Sequence, residues 1–290
     1  MIYLRAFYLP SADREFASAG PECPGYPYTL FSLKDLTEVH FSPITMICGG
    51  NGSGKSTLLN MIAAKLGLSH ESAHFQSQVF QTFVGTLTSA GFAEDDDGIL
   101  RTLPKGSRLI TGDDIVSVML NDRERNTYLV KARERAEAEQ RSYRRGASSP
   151  FRSLEDYDAL CEHLIRRKES PGQFASRTVG DFVPTRSNGE TAIEALQRAI
   201  QPGRLYLLDE PENSLSPRFQ AALASVIMES AKYFDCQFII ATHSPFLMAM
   251  PGATLYDLDA RPVCTKPWYD FPAMRDWYAL FKMHEKDFER

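Results

Sequence analysis

One segment constrains this chain more than any other, the run GGNGSGKST at residues 49–57. It directly follows an apolar run, ITMIC at residues 44–48, and precedes a helix-like stretch at residues 55–66. A loop with this glycine spacing between a strand and a helix binds phosphate groups, because its backbone N–H groups and the helix N-terminus both present positive partial charge. The alternative is a glycine-rich turn without chemistry, and the agreement between motif and context argues against it.

The residue types in this loop suit a phosphate chain. Glycines let the backbone curve around the phosphates. Lys55 is expected to reach the β- and γ-phosphates, and Ser56 is expected to ligate Mg²⁺. ATP and Mg²⁺ are therefore the predicted ligands. The predicted nucleotide-binding residues of the loop are Gly49, Gly50, Asn51, Gly52, Ser53, Gly54, Lys55, Ser56 and Thr57.

Two adjacent carboxylates end a second apolar run, in LYLLDE at residues 205–210. Placing acids at the end of a buried strand is costly unless a cation or a bound water needs them. Asp209 is predicted to hold the Mg²⁺ shell, and Glu210 to act as the general base that polarises an attacking water. The alternative is an exposed acidic pair that opens a loop.

Strand-like and helix-like runs alternate along the chain. This alternation predicts an α/β fold with a mainly parallel sheet flanked by helices, because nearly continuous apolar strands are buried on both faces. The predicted strands cover residues 44–48, 108–111, 205–208 and 237–241. The predicted helices cover residues 55–66, 190–200 and 217–233.

Composition favours a cytoplasmic protein without a membrane segment of its own. The longest apolar runs fall far short of the roughly 18 residues that a membrane span needs, and no export signal is visible at the N-terminus. The five cysteines are scattered and form no C-x-x-C pair, which argues against a disulfide framework and a zinc site.

Charge is unevenly distributed along the chain. Residues 122–180 carry 13 basic and 10 acidic residues, a surplus of +3, although the whole chain has a net charge of −5. A positive surface can bind a phosphate backbone, but a mixed-charge helical face is more often just solvated. We predict one domain over residues 1–290. Its parts are a core lobe at residues 1–114 and 196–265, a helical subdomain at residues 115–195, and a C-terminal tail at residues 266–290.

The distances of two further segments from Asp209 along the chain suggest that they have a functional role. Ser187 and Glu190 in SNGET form an ordinary capping-box pattern for the helix that follows. However, Gly189 precedes Asp209 by 20 residues, and His243 follows Asp209 by 34 residues, after the strand-like run QFIIAT. An imidazole at that strand end can hydrogen-bond a γ-phosphate or the attacking water, although a lone histidine is more often structural.

Taken together, these motifs resemble the ATPase domain of the ABC class, a P-loop NTPase. GGNGSGKST is similar to Walker A, SNGET to the signature, LYLLDE to Walker B, ENSLSP to the D-loop and ATHSP to the switch-histidine motif. The forms SNGE and DEPENSLSP resemble the stand-alone bacterial AAA-family ATPases related to RecF, SMC and OLD proteins, rather than transporter subunits with LSGGQ and DEPTSALDP.

The resemblance implies a mechanism that needs two copies. In the family, two chains pack head to tail, so that Ser187 and Gly189 of one copy would clasp the γ-phosphate held by Lys55 of the other. Glu210 and His243 would be the catalytic residues of an ATP hydrolase. This mechanism implies a homodimer that forms on ATP binding and acts as a conformational switch for a partner.

Several points stay open from the sequence. The family's glutamine between Walker A and the signature could correspond to Gln76, Gln78 or Gln81, or be replaced by Asp113, whose alternative role is the N-cap of a helix from Ile115. The adenine-stacking aromatic could be Tyr26, Tyr28 or Phe31. The alternative functions are a nucleotide-binding subunit of an ABC transporter and a DNA-associated repair or defence ATPase.

Overall fold

The computed structural model describes residues 1–19, 25–68, 77–95, 97–145, 168–179, 188–213 and 215–289. The chain divides into two compact units. The larger unit comprises Met1–Val116 and Asn188–Arg290, and the smaller comprises Ser117–Ser187. The predicted bounds of the core lobe, the helical subdomain and the tail stay a prediction.

Nine strands are seen among the described residues. They are β1 (Leu4–Tyr8), β2 (Glu38–His40), β3 (Ile44–Cys48), β4 (Ser89–Phe92), β5 (Arg108–Thr111), β6 (Leu205–Asp209), β7 (Gln237–Thr242), β8 (Thr254–Asp257) and β9 (Cys264–Thr265). The predicted strands at residues 44–48 and 108–111 match β3 and β5, and β6 and β7 each extend one residue beyond their predicted ends.

Ten α-helices are likewise described. They are α1 (Ala12–Ala19), α2 (Lys55–Leu66), α3 (Gln78–Leu87), α4 (Gly112–Arg145), α5 (Pro171–Val179), α6 (Asn188–Ala199), α7 (Pro217–Tyr233), α8 (Pro245–Met248), α9 (Pro272–Met283) and α10 (Glu285–Phe288). The predicted helices at residues 55–66 and 217–233 match α2 and α7, and α6 begins two residues before its predicted start.

The six-stranded main sheet confirms the predicted α/β architecture. Its strand order is β5-β6-β7-β3-β8-β9, and all neighbouring pairs are parallel except the antiparallel pair β8 and β9. Every residue of β3 and β7 is buried, as expected for strands with both faces covered. Strand β7 therefore lies between β3, which leads into the phosphate loop, and β6, which ends in the acidic pair.

A smaller antiparallel sheet, β2-β1-β4, is linked to the main sheet by a buried glutamine, Gln237, and by the Tyr256 hydroxyl of β8, which bonds to the His40 backbone. The Gln237 side-chain oxygen accepts from the backbone N–H groups of Tyr3 and Leu4 at 2.8 and 2.9 Å. Its amide nitrogen donates to the Leu4 carbonyl at 2.8 Å. Because a buried amide must satisfy its polar groups, Gln237 fixes the position of β1 beside the start of β7.

Helix α4 begins three residues earlier than the sequence suggested. Thr111 and Asp114 form a reciprocal cap, in which the Thr111 N–H donates to the Asp114 carboxylate at 2.7 Å and the Asp114 N–H donates to the Thr111 hydroxyl at 3.2 Å. Helix α4 therefore starts at Gly112, directly after β5. The alternative in which Asp113 caps a helix from Ile115 is wrong, because Asp113 lies within the first turn.

In the smaller unit, α4 and α5 share a small core of Ala136, Phe174 and Ala175. The buried Gln140 side chain donates to the Glu169 carbonyl at 3.1 Å. The sequence also predicts a second helix in this unit that begins near Leu154, and that segment lies outside the described residues.

The C-terminal segment after β9 contains α9 and α10. Phe271 and Met274 are buried, whereas Trp277 and Phe281 are about half exposed and stack on each other with ring centroids 5.9 Å apart. Only part of this aromatic segment therefore covers the core. Within the described part of the chain, no helix combines the length and apolar character that a bilayer crossing requires.

Candidate functional site

The phosphate loop, residues 49–54, needs glycine for its backbone shape. Gly52 and Gly54 have φ values of +78° and +101°, where side chains cause strain. A Cβ atom on Gly54 would lie 3.1 Å from the Phe31 ring, and one on Gly49 would lie 2.7 Å from the Ser53 hydroxyl. A side chain at Gly49 would therefore clash with Ser53 of the loop, and one at Gly54 would crowd the buried Phe31 ring.

The loop is a donor-rich cradle at the N-terminus of α2. Gly54 is the N-cap residue of α2 and offers no side chain to the first-turn N–H groups. The Ser53 hydroxyl is buried and has no hydrogen-bond partner among the described residues. Free donors at a helix N-terminus are suited to an anion, because the helix dipole and the N–H groups both favour negative charge.

Lys55 is held at the mouth of the loop. Only 5% of its side chain is exposed, and its ammonium donates to the carbonyls of Gly49 and Gly50 at 2.9 and 3.0 Å. The ammonium also lies 3.7 Å from the Glu210 carboxylate. A buried ammonium held by weak carbonyl partners can turn to phosphate oxygens, which carry full charge and form stronger hydrogen bonds.

Ser56 and Asp209 meet although 153 residues separate them in the chain. The Ser56 hydroxyl donates to the Asp209 carboxylate at 2.9 Å. Burial raises the pKa of Asp209 to about 6, and the Ser56 hydrogen bond opposes that rise. A desolvated carboxylate beside a hydroxyl fits Mg²⁺, which is usually held by one or two carboxylates together with phosphates and water. The two predicted Mg²⁺ ligands therefore lie side by side.

Glu210 lies next to Lys55 and His243, two of the residues predicted to act on ATP. It has a φ of +46°, an uncommon conformation for a non-glycine residue, and its N–H donates to the Ala241 carbonyl at 2.9 Å. Its carboxylate lies 3.7 Å from the His243 ring nitrogen Nδ1 and accepts from the Asn213 amide at 3.3 Å. The strained turn thus directs Glu210 towards Lys55 and His243.

Glu212 is a buried residue that the sequence analysis did not single out. Its Oε1 atom accepts from the Thr242 hydroxyl at 2.5 Å, the His243 N–H at 3.0 Å and the Ser244 N–H at 3.2 Å. Its other carboxylate oxygen is buried without a partner among the described residues. Glu212 therefore fixes the turn that carries His243. No local sequence signal distinguishes it from Glu210, because both acids follow the same strand.

The remaining predicted residues are placed only in part. Ser187 and the D-loop residue Ser214 lie outside the described residues, and Gly189 lies in the first turn of α6. Thr111 is paired with Asp209 in the register of β5 and β6, so the exposed Asp113 follows the strand beside the acidic pair. Asp113 therefore stays a hypothesis for the position that the family gives to glutamine.

Two of the three glutamine candidates for that same position do not end a strand. Gln78 and Gln81 are exposed on helix α3, and Gln76 lies outside the described residues.

Among the three aromatic candidates, Tyr26 is the one with an exposed ring. Tyr28 and Phe31 are core residues, with 9% and 1% of their surface exposed, whereas Tyr26 is 49% exposed. The Tyr26 hydroxyl donates to the Thr57 hydroxyl at 2.8 Å. Tyr26 lines an open cleft of about 570 Å³ together with loop residues Asn51, Gly52 and Ser53. Its ring stacks on Phe80 with centroids 6.3 Å apart, and the exposed part of the side chain lies beside the phosphate loop.

Two family models match the chain. The model described as "ABC transporter" matches residues 36–213, which is more than half of the chain. The model described as "AAA domain, putative AbiEii toxin, Type IV TA system" matches residues 191–249. No curated protein matches.

Several solved structures are similar to the chain. An SMC head bound to the C-winged helix domain of ScpA is 17% identical, with 79% of this chain and 93% of that chain covered and a TM-score of 0.41. "An inward-facing conformation of a putative metal-chelate type ABC transporter" is 15% identical, with coverages of 97% and 90% and a TM-score of 0.42. An SMC head with an extended coiled coil, bound to the C-terminal domain of ScpA derived from Pyrococcus furiosus, is 14% identical, with coverages of 97% and 100% and a TM-score of 0.41.

Proposed function

The chain belongs to the ABC ATPase family, and from this premise we propose that it binds ATP with Mg²⁺ and hydrolyses ATP at the ends of β3 and β6. The observation that carries the proposal is the contact between the Ser56 hydroxyl and the Asp209 carboxylate at 2.9 Å, beside Lys55 and Glu210. Bound Mg²⁺ would neutralise charge that develops on the phosphates.

Each residue of the site would have a separate role in binding or hydrolysing ATP. The N–H groups of the loop and of the α2 N-terminus would bind the phosphates, and Lys55 would exchange its carbonyl partners for phosphate oxygens. Glu210 would accept a proton from the attacking water, and His243, 3.7 Å away, would orient that water or the γ-phosphate. Tyr26 would stack on the adenine ring.

Calorimetry with ATP and Mg²⁺ tests the binding part of this proposal. Replacing Lys55 with alanine is expected to weaken binding roughly ten- to a hundredfold, because a hydrogen bond to a charged group contributes about 1.5–3 kcal/mol. The matched control is Lys286→Ala, since Lys286 is exposed on α10. An unchanged affinity in the Lys55 variant, or no binding by the wild-type protein, would contradict the proposal.

We also propose that ATP joins two copies head to tail, so that Ser187 and Gly189 of one copy contact the γ-phosphate bound to Lys55 of the other. The support is the resemblance of SNGET to the family signature. The Glu210→Gln protein should bind ATP, lose turnover by about 10²–10⁴-fold, and elute as a dimer when ATP is present. Size-exclusion chromatography with light scattering measures this, with Glu229→Gln on α7 as the control, and a monomer would count against the switch.

A DNA-associated function is a second candidate, supported by the +3 surplus in residues 122–180. However, two described arginines in this segment pair with acids, Arg141 with Glu137 and Arg177 with Glu169. Paired charges on a helix are usually only solvated. ATPase activity that is stimulated by DNA and reduced by salt would favour this function.

A transporter subunit is the third candidate, supported by the description of the family model. Against it stands the signature SNGE in place of LSGGQ. Co-purification with an integral membrane protein would decide in its favour. A role in a toxin-type defence module rests on the description of the second family model alone.

A further inference from the structure

Two side chains from outside the glycine motif form hydrogen bonds to the phosphate loop. Lys34 ends a short 3₁₀ turn at Ser32–Lys34, and Asp259 follows β8. Although 225 residues separate them, both contact the loop and line the cleft beside Tyr26. Neither contact is explained by the predicted roles of the loop residues.

Lys34 connects the loop to the end of β8. Its ammonium donates to the Ser53 carbonyl at 2.6 Å and to the Leu258 carbonyl at 2.7 Å. Only 9% of Lys34 is exposed, and burial lowers the pKa of its ammonium, an effect that the nearby Asp259 carboxylate opposes. Burying an ammonium is costly unless hydrogen-bond acceptors surround it. The bonds to the Ser53 and Leu258 carbonyls offset this cost and connect the loop to the residue after β8.

Asp259 holds the opposite end of the loop. Its Oδ2 atom accepts from the Gly50 N–H at 2.6 Å, which is a short hydrogen bond. The Asp259 N–H donates to the buried Asp257 carboxylate at 2.9 Å, and Asp257 forms an ion pair with Lys266. Because the Asp259 side chain is itself exposed, hydrogen bonds rather than packing hold it against the loop.

A loop of this kind gains most from such contacts. Gly52 and Gly54 have positive φ values, and glycine loses more conformational freedom on ordering than any other residue. Donors that are already in place bind an anion more tightly than donors that must first be ordered. The hydrogen bonds at Gly50 and Ser53 hold the loop at two points when no ligand is bound.

We propose that Lys34 and Asp259 are positioning residues that hold the phosphate loop in its anion-binding form and connect it to the end of β8. This inference deepens the proposed function, because it names residues that would set the affinity of the same site for the nucleotide. It assigns Asp259 an acceptor role in which its hydrogen bond matters and its charge does not.

The exposed Asp259 allows a test with variants that should fold. Asp259→Ala removes the acceptor, and Asp259→Asn keeps an acceptor while it removes the charge. If Asp259 acted only as a negative charge near the phosphates, both variants would bind ATP more tightly. If Asp259 positions the loop, only the alanine variant is impaired. Asp276→Ala is the matched control, because Asp276 is an exposed acid on α9.

The first readout does not depend on ATP. Hydrogen–deuterium exchange of the nucleotide-free proteins is followed in peptides that cover residues 44–58. Asp259→Ala and the buried variant Lys34→Met should exchange faster in this segment, and Asp259→Asn and Asp276→Ala should match the wild type. Unchanged exchange in Asp259→Ala, or equal acceleration in Asp259→Asn, would overturn the inference. If Lys34→Met fails to fold, the Asp259 variants decide alone.

The second readout is the dissociation constant for ATP with Mg²⁺, measured by calorimetry. Asp259→Ala should raise it roughly tenfold, in keeping with the loss of one hydrogen bond that orders the loop, whereas Asp259→Asn should stay within about twofold of the wild type or bind more tightly. Wild-type affinity in Asp259→Ala would overturn the inference. Should the wild-type protein itself not bind ATP, the proposed function fails, and the exchange experiment still decides the role of Asp259.

Discussion

Replacing Glu212 with alanine is expected to destabilise the protein by about 3–5 kcal/mol, because three buried donors lose their shared acceptor. These donors are the Thr242 hydroxyl and the N–H groups of His243 and Ser244. Relief of the buried, unpartnered carboxylate oxygen offsets part of this cost. With an unfolding entropy of roughly 2 cal/mol/K per residue and 290 residues, the melting temperature should fall by roughly 5–8 °C.

Urea denaturation and thermal unfolding measure this change. Glu212→Gln keeps an oxygen acceptor and should lose only about 1–2 kcal/mol. Glu229→Ala, an exposed change on α7, should stay within about 0.5 kcal/mol of the wild type. A Glu212→Ala protein within about 1 kcal/mol of the wild type would refute the reasoning, since it would mean that the turn of His243 does not depend on this carboxylate.

Three further predictions concern the nucleotide site. Ser56→Ala should lower kcat/KM about 10–100-fold and raise the Mg²⁺ concentration needed for half-maximal turnover, because Mg²⁺ would lose the proposed ligand that lies beside Asp209. A magnesium titration of ATPase activity measures this, and an unchanged midpoint would contradict it. Tyr26→Ala should weaken ATP binding about five- to twentyfold through lost stacking, whereas Tyr26→Phe, which keeps the ring and loses the hydroxyl bound to Thr57, should bind within about threefold of the wild type. Equal losses in the two calorimetric titrations would exclude stacking. Asp113→Ala should reduce turnover and alter its Mg²⁺ dependence, and unchanged values of both would remove Asp113 from the family's glutamine position.

The main sheet could be predicted because the local sequence of each strand indicates a buried strand. Runs such as ITMIC and QFIIA are apolar throughout, and strands buried on both faces require that composition. The phosphate loop likewise carries its chemistry in consecutive residues. The contact between Ser56 and Asp209 could be expected because both residues are predicted to bind Mg²⁺. It also fits the parallel sheet, in which the carboxyl ends of the strands meet at one edge.

The parts that sequence reasoning missed depend on distant or short-range contacts. The reciprocal cap of Thr111 and Asp114 places the helix start directly after β5, three residues before the helix-like pattern begins. The small antiparallel sheet depends on Gln237, whose polar character gives no hint that it binds β1. Lys34 has the appearance of an ordinary surface lysine, and only the folded chain brings it to the loop.

The place of β7 between β3 and β6 has a consequence for how this site can vary. One intervening strand separates the ends of β3 and β6 by two inter-strand spacings, roughly 9.5 Å. The separation between the ends of β3 and β6 is thus set by main-chain hydrogen bonding rather than by side-chain size. Substitutions among the core side chains around β7 should therefore leave this separation unchanged.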